Sequence, residues 1–430
     1  MAAKTSIFSL LTLTFMAILT HPVKPLDYPE ELMNHNFFDD LQFQAPLSPA
    51  SVFDPFSVLS PSSSPLAPAL FVIGDSSVDC GNNNFLGTFA RADRPPYGRD
   101  FDTHRPSGRF SNGRVPVDYL ALRLGLPFVP SYLEQAGKIE DMIHGVNYAS
   151  AGAGIIVSSG SDLVQHISFA QQIQQVTDTS QQLMISMGEE TAVDLISNSI
   201  FYISIGTNDY IHYYLRNVSS VQSLHSPSSF SHLLSATLKQ GIKNLYTANV
   251  RKVVVMGVAP MGCSPHYLWR YKSANGECIQ DINAIIMEFN FAVRSMVEEL
   301  SQEHPDAKII FCDQFAGVMD VIQNHERHGY SCHAANQPLL SSESESTEEG
   351  QKCVYVGFSV ASEACCGLGK YKGWIMCMSP EMACRNASTH IWWDQFHPTD
   401  AVNEILADNV WSGLHSSMCY PMNMKDMITD

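Results

Sequence analysis

The stretch FVIGDSSVDCGNNN (residues 71–84) decides the fold. An apolar run breaks at Gly74 onto Asp75, Ser76 and Ser77 and then falls into three asparagines. A short apolar run bounded by turn residues is the pattern of a buried strand. Strands of the same kind are predicted at 145–149, 200–205, 252–258 and 307–312, with 69–75 as the first. Helical periodicity is read over 117–124, 162–187, 230–247, 279–303 and 401–414. Strands alternating with helices of this length imply right-handed βαβ units, hence a three-layer α/β/α, flavodoxin-like parallel sheet covered on both faces. In such a sheet ligands sit at the carboxyl ends of the strands, which is where Ser76 falls.

The 430-residue chain can bury a large core, and its hydrophobic fraction of 45% is ordinary for a globular protein. A formal charge of −18 argues against nucleic acid or an anionic membrane as the main partner and leaves small molecules open. One lysine precedes an apolar run of about a dozen residues at the N-terminus, the layout of a secretory signal peptide, expected over 1–22. The run is short for a bilayer, so no stable membrane anchor is expected. Residues 23–68, rich in Ser and Pro from Ala45 onward, are expected as an extended segment, 69–415 as the folded domain and 416–430 as a tail. The polar, aperiodic stretch 336–352 is expected as an exposed insertion loop. The oligomeric state is left open by the sequence.

Eleven cysteines, most of them between Cys263 and Cys384, fit an exported, disulfide-bonded chain. The odd count requires an unpaired thiol or an intermolecular partner, and the adjacent Cys365 and Cys366 are poorly placed to bond each other. Their spacing lacks paired CxxC ligands, so no metal is implied. The sequons at Asn217 and Asn386 are candidate glycosylation sites on a secreted surface. Tryptophan and methionine around Trp374 and Met376 are read as core.

Four segments carry the chemistry: GDSS (74–77), NYASAGAG (147–154), GTND (206–209) and DQFHPT (394–399). A serine is a weak nucleophile until a base takes its proton; His397 is the candidate base, with Asp394 three residues earlier to orient it. A glycine amide and the Asn208 side-chain amide can stabilise an oxyanion. Ser76 alone could also cap a helix, Asp75 and Asp79 can bind turn amides, and the other fifteen histidines are read as surface or structural. No GxSxG elbow, phosphate loop, dinucleotide fingerprint or HExxH motif is present, so no cofactor is implied.

In these blocks, and in RFSNGRVPVDYLA, VAPMGCSP and ACCGLGKY, the chain resembles the plant GDSL-type esterases/lipases of the SGNH hydrolase superfamily from about residue 71 to 414. The resemblance implies the SGNH hydrolase fold, with Ser76 as nucleophile and Asp394 and His397 completing the triad. It also implies Gly152 and Asn208 as oxyanion donors, alongside the serine's own amide. Ser77 stands where leucine is usual and Ala151 where glycine is common, which bears on packing beside the nucleophile. The implied activity is secreted, extracellular hydrolysis of carboxylic esters of lipids or of cell-wall or phenolic compounds through an acyl-enzyme. The alternatives are an acyltransferase on the same machinery or a catalytically inactive binding protein of the same fold.

Overall fold

A computed structural model describes residues 64–135, 138–216, 220–328, 330–334, 345–346, 351–355 and 357–429. The expected signal peptide, nearly all of the 23–68 segment, the Asn217 sequon and most of the 336–352 insertion therefore lie outside the described residues. Four apolar pentamers form the centre: β1 (Leu70–Gly74), β2 (Ile200–Ser204), β3 (Lys252–Met256) and β4 (Lys308–Cys312), parallel and in that order. Successive side chains of a strand point to opposite faces, and the sequence sorts itself accordingly. Phe71, Ile73, Phe201, Ile203, Val253 and Val255 join one core with the helices Phe169–Met187, Pro227–Thr247 and Gln280–Glu303. Leu70, Val72, Ile200, Tyr202, Val254 and Met256 join the other with Pro116–Leu124, Asp400–Ser412 and Met424–Thr429. The result is the expected three-layer α/β/α arrangement.

The strand expected at 145–149 is realised differently. Chain 144–150 runs beside β1, exchanging hydrogen bonds with Leu70, Val72 and Gly74, yet its residues form only isolated bridges, Asn147 with Val72 of β1 and with Ser131 on its other side. Gly145 sets the limit: its φ is +115°, and a Cβ there would stand 1.9 Å from the Leu70 carbonyl oxygen. With this edge on one side and β2 on the other, the winding of the chain reverses at β1. That reversal is the topological switch point at which open α/β sheets bind ligands.

Other boundaries moved for local reasons. The helix expected from 162 starts at Phe169, because the Ser168 side chain accepts from the Gln171 amide and Gln171 reaches back, a capping box. Helices Glu189–Asn198, Pro265–Arg270 and Gln314–Gln323 lie outside the predicted set. The stretch expected as a tail holds the strand Cys419–Tyr420, antiparallel to β4 and bonded to it through Cys312–Cys419. Three further disulfides join Cys263–Cys278, Cys365–Cys384 and Cys366–Cys377, so the adjacent cysteines take separate partners. Cys80 is a free, buried thiol. The reading of Trp374 and Met376 as core is corrected: they are 39% and 48% exposed. Gln395 ties the Gly373 and Trp374 carbonyls to the body, and Trp374 stacks on Trp269 at the surface instead of entering a core. Among the described residues no helix is long and apolar enough to cross a membrane.

Candidate active site

β1 ends where it does because two neighbours leave no room for a side chain and no free backbone group. A Cβ on Gly74 would lie 2.4 Å from the Ser204 carbonyl oxygen. The buried Gln172 accepts from the Gly74 amide at 2.8 Å and donates to its carbonyl at 2.9 Å. Beyond this clamp the chain turns, with the Asp75 carboxylate accepting from the Ser77 amide. Burial holds the Asp75 carboxyl above its ordinary pKa. The Ser77 hydroxyl pairs with that of Ser204 at 2.9 Å. The Ser76 hydroxyl instead meets His397 Nε2 at 2.8 Å.

His397 comes from the other end of the chain, just before the helix Asp400–Ser412. Its Nδ1 lies 2.8 and 2.9 Å from the two Asp394 oxygens, so the carboxylate fixes the tautomer that leaves Nε2 facing the serine. Asp394 Oδ1 also accepts from the Phe396 and His397 amides, and Oδ2 from the Tyr97 hydroxyl at 2.8 Å. Burial works to raise the Asp394 pKa, but the His397 charge and these hydrogen bonds outweigh it and the carboxyl sits below its ordinary value. Burial likewise works to lower His397, and the Asp394 charge outweighs it, so the imidazole sits above its ordinary value. The Phe110 ring, 5.0 Å away, covers the imidazole.

Ser76, Gly152 and Asn208, each with an N–H to offer, line one cleft. Among the described residues, the amides of Ser76 and Gly152 have no acceptor. Asn208 spends one Nδ2 hydrogen on the Ala153 carbonyl at 2.9 Å and keeps the second. Gly152 takes φ +89°, and a Cβ would meet Leu163 Cδ1 at 2.9 Å. Gly152 lines the cleft with Ser76, Asn208 and His397, whereas the neighbouring Gly154 does not. The cleft, of about 1010 Å³ including space open to solvent, is walled mainly by Ile205, Ile211, Val258, Met261, Val318 and Phe396. Among the described residues no group of three or more His, Cys, Asp or Glu side chains could hold a metal.

The asparagine run after the serine has a structural task. Asn82 donates to the Asn147 and Ala149 carbonyls, Asn83 to those of Ala90 and Ala151. Asp79, its carboxyl pushed up to about 6 by burial, accepts from the Gly81, Asn82 and Ala151 amides. These bonds fasten the Gly152 loop to the serine turn. Asp209 fastens the loop's far side through Ile155, Ile156 and Ser159. Asp209, although it directly follows Asn208, and Gln172 and Tyr97 carry no local sequence pattern that marks these contacts. His212, expected among the surface or structural histidines, lines the cleft and pairs with Asp162.

A hydroxyl bonded to an imidazole that is oriented by a buried carboxylate, beside free amides at a switch point, is the arrangement with which serine hydrolases transfer acyl groups. The sequence profile of the GDSL-like lipase/acylhydrolase family matches residues 70–410. Two Arabidopsis thaliana proteins, each called a GDSL esterase/lipase, are 33% and 35% identical to the chain; the alignments cover 84% of this chain and 87% and 86% of theirs. Arabidopsis GDSL esterase/lipase 7 is 35% identical over 84% of this chain and 92% of its own. The chain belongs to the GDSL-like lipase/acylhydrolase family, and it is a carboxylic ester hydrolase of the GDSL type.

Proposed function

We propose that the protein is an exported esterase that cleaves carboxylic esters of lipids or of cell-wall or phenolic compounds through an acyl-enzyme on Ser76. His397 Nε2 takes the Ser76 proton as Oγ bonds to the ester carbonyl carbon. The resulting oxyanion accepts from the Ser76 and Gly152 amides and from Asn208 Nδ2. The imidazolium, held by Asp394, returns the proton to the leaving oxygen as the carbon–oxygen bond breaks and the alcohol departs. Water, deprotonated by the same imidazole, then attacks the acyl carbonyl, and Ser76 is released with its proton. The observation that carries the reading is the 2.8 Å contact between His397 Nε2 and the Ser76 hydroxyl across 321 residues of chain.

Export is part of the reading. It is supported by the apolar N-terminal run, the four disulfides among the described residues and the exposed Asn386, whose Oδ1 is bound by the Ser388 hydroxyl of its own sequon. Within this reading the mature chain begins near residue 23 and carries a glycan on Asn386, with Asn217 as a second acceptor. The deciding experiment labels the purified protein with a fluorophosphonate and follows ester turnover and its products. Ser76→Ala abolishes both signals while Ser77→Ala keeps much of each. The reverse ranking, or a wild type that neither labels nor turns over any ester, overturns the reading.

A further inference from the structure

The rim of the cleft on the Gly152 side is built from two loops whose composition departs from the rest of the chain. Residues 82–90 and 145–161 contain no charged side chain, in a protein with 43 acidic and 25 basic residues. They and the following turn instead hold large apolar groups in solvent: Phe85 is 57% exposed, Phe89 69%, Val157 63% and Val164 60%. Their chain neighbours Ala90 and Leu163 line the cleft itself, so the exposed patch and the apolar wall of the cleft are continuous.

This exposure is built in. The Leu163 carbonyl accepts from both the Thr88 hydroxyl at 2.8 Å and the Phe89 amide at 3.2 Å, and Gln165 Oε1 accepts from the Gly87 amide at 2.8 Å. A Cβ on Gly160 would stand 2.0 Å from the Gly152 carbonyl oxygen, so this loop packs directly against the glycine beside Ser76. Val164 sits at φ +81°, ψ −77°, a backbone region that β-branched residues avoid, and its side chain points away from every core. Strain at a mostly exposed β-branched residue that belongs to no hydrophobic core cluster is not explained by core packing, and such strain gathers where a surface is used. The charged residues that directly follow these stretches in the chain are engaged: Asp162 by His212 and Arg216, and Arg91 by Asp93.

We propose that Phe85, Phe89, Val157 and Val164 form a docking surface for the uncharged face of aggregated ester substrate, through which the enzyme seats its cleft on an emulsion or neutral lipid surface. A rim whose exposed groups are mainly apolar, and whose charged Asp162 is held by His212 and Arg216, gains by burying area in such a face. The net charge of −18 repels an anionic one, which selects the neutral surface. The inference rests on the esterase reading for its substrate, but the docking step can be measured without turnover.

The test uses the full-length protein, wild type and Phe89→Ser/Val157→Ser, both positions being exposed and outside the catalytic machinery. Flotation with Ser76→Ala protein measures docking on a neutral triglyceride emulsion and on phosphatidylcholine vesicles with and without an anionic lipid. Turnover of one short ester is compared below its solubility limit and as an emulsion. The expected result is flotation with neutral surfaces, reduced by anionic lipid, and a loss of about tenfold or more in both flotation and emulsion turnover in the double variant. Turnover of the dissolved ester stays within about twofold. Equal losses on dissolved and emulsified ester, unchanged flotation in the variant, or a wild-type dimer that the substitutions make monomeric would overturn the proposal. Flotation by a protein that turns over no ester would instead overturn the esterase reading and keep the surface.

Discussion

Two histidine–aspartate pairs border the same cleft, and they differ in what surrounds them. His212 Nδ1 stands 3.1 Å from Asp162, whose carboxylate is also shared with Arg216 and is 27% exposed. His397 lies 2.8 Å from Asp394, whose side chain is 6% exposed and is further bound by Tyr97 and two amides. A pair whose carboxylate is open to solvent contributes roughly 0–1 kcal/mol. The buried pair fixes the ring, selects its tautomer and raises its proton affinity, because the Asp394 charge outweighs the burial that works against it. The remaining nitrogen of His397 meets a serine hydroxyl, whereas that of His212 meets no hydroxyl among the described residues. Proximity between a histidine and a carboxylate is therefore a weak guide to catalysis. Burial of the carboxylate and the group at the far nitrogen separate a base from a surface contact.

The comparison is most exposed to the loss of the base. His397→Ala is expected to lower kcat/KM on a soluble ester by about 10⁴ or more, close to the loss of Ser76, because the two act as a unit. Asp394→Asn costs the same or less. Its pH profile is the sharper readout: in the wild type, activity rises with pH as the imidazole loses its proton, through a midpoint above that of an unpaired histidine. Removing the Asp394 charge moves this midpoint to lower pH. A wild-type profile flat from about pH 5 to 9 would remove His397 from the reaction.

Asn208→Ala comes next: under the proposed mechanism its second N–H donates to the oxyanion, so a loss of about 10² to 10³ confined mainly to kcat is expected. A change confined to KM would assign it to ground-state binding instead. Tyr97→Phe removes one of the bonds that hold Asp394 and should cost about tenfold, with the melting temperature nearly unchanged. The smallest effect is expected at the second pair: His212→Ala should change turnover of a short ester by less than about threefold. A loss there as large as that at Tyr97 would erase the distinction drawn between the pairs.

What the sequence determined by itself is the part written in local pattern. The four apolar pentamers, the main helices, Ser76 after β1 and Asp394 three residues before His397 were all legible, because alternation, periodicity and strand-end hydroxyls are consequences of neighbouring residues. Only the tertiary structure decided the contacts that join distant segments. Tyr97 reaches Asp394 across 297 residues and Gln172 clamps Gly74 across 98, while Cys365 and Cys366 part to different partners. The strand expected at 145–149 is reduced to isolated bridges from Asn147 to Val72 and Ser131, and the close approach of Gly145 to the Leu70 carbonyl is invisible until the two segments are side by side. Trp374 and Met376 read as core and stand in solvent for the same reason: hydrophobicity favours burial, but whether a neighbour is there to bury against is fixed by the packing of the whole chain.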